Sequence, residues 1–335
     1  MKKYKLTDES IVHNDYTLYR IECINAFGDV KVGDKGGWLE KEDNLDQSDN
    51  AWVSGDAMVF GDAWVTGNAL VSEDARVFDK AWVSDNAKIS CNALVSEDAR
   101  VFGNAKVFGD ACVYGNACVF GNAKVFGDAK VSGNACVSGN ALVCGNTKVD
   151  EDALLYGNAK VYGNAKVFGD AWVYGNSEVF GDAKVFGDAK VSGNACVSDN
   201  ALVCGNTKVD EDALLYDNAK VFGNARVSGN AWVYGNSEVF GDAKVFGNAC
   251  VFGKSEISGN AVVNSDCDYM VFKNSWSSGR YFTWTKSNNM WKVGCFYGTG
   301  EELIKKAYDD SELKGKCYEK VVNFVKELEE IKNNC

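Results

Sequence analysis

A chain of 335 residues, 46% of them hydrophobic, can form a substantial core, while its net charge of −12 argues against a surface built to bind phosphates. That charge divides as −4 before residue 51, −8 through residue 264 and zero beyond. Proline is absent, and no stretch approaches the roughly eighteen consecutive apolar residues of a membrane-spanning helix, so neither membrane nor direct nucleic-acid binding is expected.

The opening MKKYKLTDES has three lysines with no apolar run behind them, which reads as a cytoplasmic rather than an exported protein. His13, the single histidine, lies in the segment Val12-His13-Asn14-Asp15 and reads as an ordinary turn residue. Tyr16 to Ile24 has strand character. Gly36-Gly37-Trp38-Leu39-Glu40 then leads to Asp43-Asn44-Leu45, an imperfect form of the six-residue unit that repeats from residue 51 onward. Residues 1–50 are therefore expected to form a small N-terminal β cap.

From Val53 to Val263 an aliphatic residue recurs every six positions with no insertion or deletion, giving thirty-six hexads. Each unit reads Ala, a variable residue, Val, a second variable residue, Gly, then Asn or Asp, as in Ala183-Lys184-Val185-Phe186-Gly187-Asp188. Alternation places Ala and Val on one side of a short strand and the variable pair on the other. Gly with Asn or Asp supplies residue types that tolerate positive φ, so each strand is expected to end in a corner. A strand this short cannot bury its valine alone; its neighbours must stack on it.

This period and pattern resemble the hexapeptide repeat of left-handed parallel β-helices, in which three hexads close a triangular coil. The resemblance supplies the left hand. It implies a mainly β fold: residues 51–264 as about twelve coils, forming a rod about 55–60 Å long at the spacing of stacked strands. One departure is the Phe, Tyr or Ser that follows the aliphatic residue, where that family often has Gly or an acid.

Residues 265–335 read as a C-terminal α+β cap. Tyr281–Thr285 and Met290–Tyr297 flank Lys286-Ser-Asn-Asn289, a hairpin signal. Thr299-Gly-Glu-Glu302 looks like a capping box, and Tyr318, Val321, Val322, Val325, Leu328 and Ile331 form one stripe of a final helix. Taken with KYKLTDES, KGGWLEKEDNL and WKVGCFYGTGEEL, the chain resembles a bacterial and phage family of hexapeptide-repeat proteins, some members of which are labelled acetyltransferases on the strength of the fold.

Enzymes of the hexapeptide acyltransferase type typically use a histidine base and often an inserted loop. Here the one histidine precedes the coils and no loop interrupts them, so no catalytic residue and no cofactor are expected. The thirteen cysteines read as reduced thiols; Cys118 and Cys136, eighteen residues apart, should stack on neighbouring coils. The acidic corners, such as Glu73-Asp74 and Asp150-Glu151-Asp152, never recur at that spacing and read as solvated, with no metal site. Three threonines in the coils, Thr66, Thr147 and Thr207, are too few for an ice-binding face.

The outward positions carry the remaining signals. Trp52, Trp64 and Trp82 are expected to form an apolar contact patch, and Lys130, Lys148, Lys166 and Lys184 a ladder beside Phe168 and Phe186 that cation–π contacts could support. Residues 131–190 recur at 191–250 with fifty-two of sixty positions identical, and ALVSEDARVF occurs at 69–78 and 93–102. Neither displacement is a whole number of coils, so each copy should be turned by one face. The reading is a non-enzymatic scaffold, spacer or self-associating protein that binds a protein partner or itself. The alternatives are an acidic DNA-shaped decoy or other sequestering protein, and an unconventional or vestigial acyltransferase.

Overall fold

The computed structural model describes residues 2–333, in two compact units, Met1–Asp199 and Asn200–Cys335. The first begins with an antiparallel hairpin of β1 (Tyr4–His13) and β2 (Tyr16–Cys23). Asn14 and Asp15 both take positive φ, 48° and 68°, as a two-residue hairpin turn needs. His13 is consequently the last residue of a strand rather than part of the turn, and its ring packs edge-on against Phe60 at 5.7 Å. β3 (Lys35–Leu39) pairs antiparallel with β2 and parallel with Met58–Val59, passing the chain into the repeat.

Strands of two residues, or three at Lys184–Phe186, then run from Trp52–Val53 to Cys196–Val197; those from Trp52–Val53 to Glu178–Val179 each pair parallel with the strand eighteen residues on, and they build three parallel sheets. Val53, Val71 and Ile89 mark the first sheet, Val59, Val77 and Val95 the second, and Val65, Val83 and Val101 the third. The inward Ala and Val residues are fully buried, as alternation required. Each coil donates amides to the next coil's carbonyls, as from Trp52 N to Ala69 O at 2.9 Å and from Ser54 N to Val71 O at 2.9 Å. This is the mainly β, parallel solenoid that the hexads imply.

At the corners Gly121 has φ of +70°, and a Cβ there would lie 3.0 Å from the amide nitrogen of Gly139 in the next coil. One corner of this unit is asparagine throughout: Asn50, Asn68, Asn86, Asn104 and Asn122 each pass a side-chain amide bond to the asparagine one coil on, at 3.0–3.2 Å, and the row continues to Asn194. The repeated ALVSEDARVF is turned as expected, since Leu70 lies in the first sheet and Leu94 in the second. Thr147 is buried in the core with an unpartnered hydroxyl.

The second unit holds the coils from Leu202–Cys204 to Val262–Val263, followed by a four-stranded antiparallel sheet in sequence order: Tyr269–Lys273, Tyr281–Thr285, Met290–Val293 and Phe296–Thr299. Thr207 lies inside its coils. The helices α1 (Gly300–Asp310) and α2 (Glu312–Asn333) close it. The capping box forms, with Thr299 Oγ1 accepting from Glu302 N and Glu302 Oε2 accepting from Thr299 N. Phe282, Trp291, Leu303, Tyr318, Val322 and Val325 make the core. The expected apolar stripe of α2 stops short: its buried residues are Tyr318, Val322 and Val325, while Leu328 and Ile331 are exposed. No helix among the described residues is long and apolar enough to cross a membrane.

Candidate interaction surface

An outward residue in a solenoid is exposed unless something non-repetitive lies over it. In the first unit the N-terminal cap covers Trp52, which is only 6% exposed and packs edge-on against Tyr4 of β1 at 6.4 Å and against Phe27, beyond β2, at 5.5 Å. The expected patch therefore loses Trp52, which is cap core on the first sheet. Trp64 and Trp82 remain, 48% and 39% exposed, as register neighbours in the third sheet. Their rings stack at 6.1 Å with an interplanar angle of 13°.

The pair has a cleft on each side. One, of about 620 Å³, runs from Lys41, Glu42 and Leu45 to Asp62 and Trp64. The other, of about 340 Å³, is lined by Thr66, Trp82, Ser84, Arg100 and Phe102. Arg100 is the register neighbour of Trp82, so the aromatic strip ends on a guanidinium. Two adjacent exposed indoles bounded by polar clefts form the arrangement typical of a contact hot spot: large rigid apolar area within a polar rim.

Lys130, Lys148, Lys166 and Lys184 are brought together as expected, in consecutive register on the second sheet, and all four are exposed. The expected cation–π support is absent among the described residues. Phe168 instead stacks on Phe186 at 4.8 Å and 4°, because rings in register at the strand spacing satisfy one another. The lysines also lack carboxylate partners there, whereas Lys160 in the first sheet bonds Glu178 at 2.8 Å. Tyr162 donates to the same Glu178 carboxylate, at 3.0 Å; burial, then that bond, pushes its phenol up to about 12.

Cys118 and Cys136 are register neighbours, and both are free thiols. Burial raises the Cys136 thiol above its ordinary value, which disfavours the thiolate form. The acidic corners bring no group of three potential metal ligands together among the described residues. Glu73, Glu97 and Glu151 themselves adopt the positive φ that glycine takes elsewhere, at 62°, 60° and 59°.

Residues 219–235 match a family model described as the YdcK β-solenoid repeat. No curated protein matches the chain. Among solved structures the chain is similar to UDP-N-acetylglucosamine O-acyltransferase (LpxA) from Moraxella catarrhalis, at 11% identity over 78% of this chain and 93% of that one, with a TM-score of 0.29.

Two exposed aromatic residues in the second unit give only a faint signal in the sequence, Trp276 (74% exposed) and Phe324 (54%). Trp276 stands alone in the polar run Asn274-Ser-Trp-Ser-Ser-Gly279, and Phe324 lies off the apolar stripe of α2. Each is an aromatic out of phase with its surroundings, which is the one trace that could have found it.

Proposed function

We propose that the protein works by binding, as a non-enzymatic scaffold or self-associating unit, with Trp64 and Trp82 at the centre of its contact surface. The observation behind this reading is the stacked, exposed indole pair set between two clefts. Leaving both rings in water forgoes about 1.5–3 kcal/mol of burial per large apolar side chain, a cost recovered when a partner covers them. Register neighbours on a ladder of short strands are held rigidly, so little side-chain entropy is lost on contact. Protein contact or self-association is the partner class that fits. Sedimentation velocity of the full chain against Trp64→Ser and Trp82→Ser tests it. Wild type should form a defined oligomer that both variants shift towards monomer. Tight, stoichiometric binding of an acyl-coenzyme A in calorimetry, with no change of assembly in the variants, would favour a transferase instead.

A further inference from the structure

The C-terminal sheet leaves one edge open beside an apolar helix face. Asn274 N donates to Arg280 O and Lys286 N to Asp268 O, which fixes the phase of the first strand pair. Residues 270 and 272 therefore bond inward to Tyr281–Thr285, and the N–H and C=O groups of Tyr269, Val271 and Lys273 point away from the sheet. Along this edge runs an open groove of about 690 Å³, walled by Met270 and Phe272 on the strand and by Cys317, Val321 and Phe324 on α2. At its end Trp276 is presented by a built turn: the fully buried Asn274 accepts from the amides of Trp276 and Ser277 and donates to Ser277 Oγ. Lys320 lies in the wall without a carboxylate partner among the described residues, and Lys316 beside it pairs with Glu312 at 3.0 Å.

We propose that this groove captures an extended, acidic and apolar peptide segment of a partner protein by strand addition. An added strand satisfies the outward groups of Val271 and Lys273, and its alternate apolar side chains lie on Phe272, Val321 and Phe324. A carboxylate on the peptide meets Lys320. An open strand edge selects a peptide over a compact apolar molecule, because only a backbone can supply the matching row of donors and acceptors. The cation selects an acidic sequence.

The test uses the full chain and a fluorescein-labelled octapeptide alternating valine with glutamate or threonine, read by fluorescence anisotropy. Phe324→Glu changes an exposed position and leaves the fold intact, as circular dichroism will verify; it should weaken binding by about tenfold or more, the range of a hot-spot truncation. Lys320→Glu should weaken the acidic peptide and strengthen one with lysine in place of glutamate. A peptide with prolines at alternate positions should lose about tenfold, since it cannot pair with the edge. Trp64→Ser should leave peptide binding unchanged, which separates this site from the surface in the first unit. The proposal fails if no binding appears up to about 1 mM, weaker than about −4 kcal/mol. It fails equally if the proline peptide or Phe324→Glu binds like the reference. A dimer that Phe324→Glu dissolves would assign the groove to a second copy and overturn it.

Discussion

The first coil of the first unit and the last coil of the second face opposite chemical problems. Each coil donates amides forward, so the first coil is left with unclaimed carbonyls and the last with unclaimed amides. At the N-terminal end the covering groups are donors. Trp38 N bonds Ala57 O at 2.8 Å, Asp46 N bonds Val65 O at 2.9 Å, and the side chain of Asn44 reaches Gly61 O and Ala63 O. The Lys3 ammonium lies between Asp49 O and Ala51 O at 2.6 and 2.8 Å, and Arg20 bonds Gly55 O at 2.7 Å. At the C-terminal end the covering groups are oxygens: Asp266 accepts from Cys250 N at 2.7 Å, Thr283 from Glu256 N at 2.9 Å, Ser287 from Val262 N at 2.7 Å. A parallel solenoid is polar, and its caps are not interchangeable. The N-terminal end is closed partly by a strand, β3, whereas the C-terminal end is closed by side chains.

That contrast can be broken at either end. The largest effect is expected at Asn44, fully buried and bonded to two carbonyls. Asn44→Leu leaves both unclaimed and should cost about 3 kcal/mol, from the penalty of an unsatisfied buried group, measured by urea unfolding. At the other end Asp266→Ala removes one charge-assisted acceptor and should cost about 2 kcal/mol, while Asp266→Asn keeps an oxygen and should cost less. Equal losses for alanine and asparagine would show that the carboxylate does not cap Cys250.

Lys3 sharpens the comparison through pH. Burial, partly opposed by Asp46 and Asp49, lowers its pKa to about 8. Between that value and its ordinary 10.5 the unfolded chain holds a proton that the folded chain has released, so stability attributable to Lys3 rises with pH in this window. The difference in melting temperature between wild type and Lys3→Met should therefore shift in favour of wild type from pH 7 to about pH 9.5. A flat difference would place the ammonium in water. The smallest expected effect lies away from both ends: Thr147→Ala deletes an unpartnered buried hydroxyl from the small-residue column and should stabilise by about 1 kcal/mol, read by thermal melting.

The hairpin at Lys286–Asn289, the capping box at Thr299 and the buried Ala and Val columns were all legible in the sequence, because each depends on residues a few positions apart. The lysine ladder and the turned copy of ALVSEDARVF were legible too, once eighteen residues were known to make a coil. The copied blocks suggest that no face is kept constant, and the asparagine corner qualifies this for the first unit, where Asn50 to Asn194 preserve one continuous row.

By itself the sequence determined the period, the inward and outward sides and the corners, since a two-residue strand bounded by Gly-Asn is a local object set by sterics and alternation. Only the tertiary structure decided what became of the outward residues. Trp52, Trp64 and Trp82 occupy equivalent places in their hexads, yet the first is buried under Tyr4 and Phe27 and the other two are exposed. Burial of an outward side chain depends on which distant, non-repeating segment lies over it, and neither periodicity nor composition specifies that.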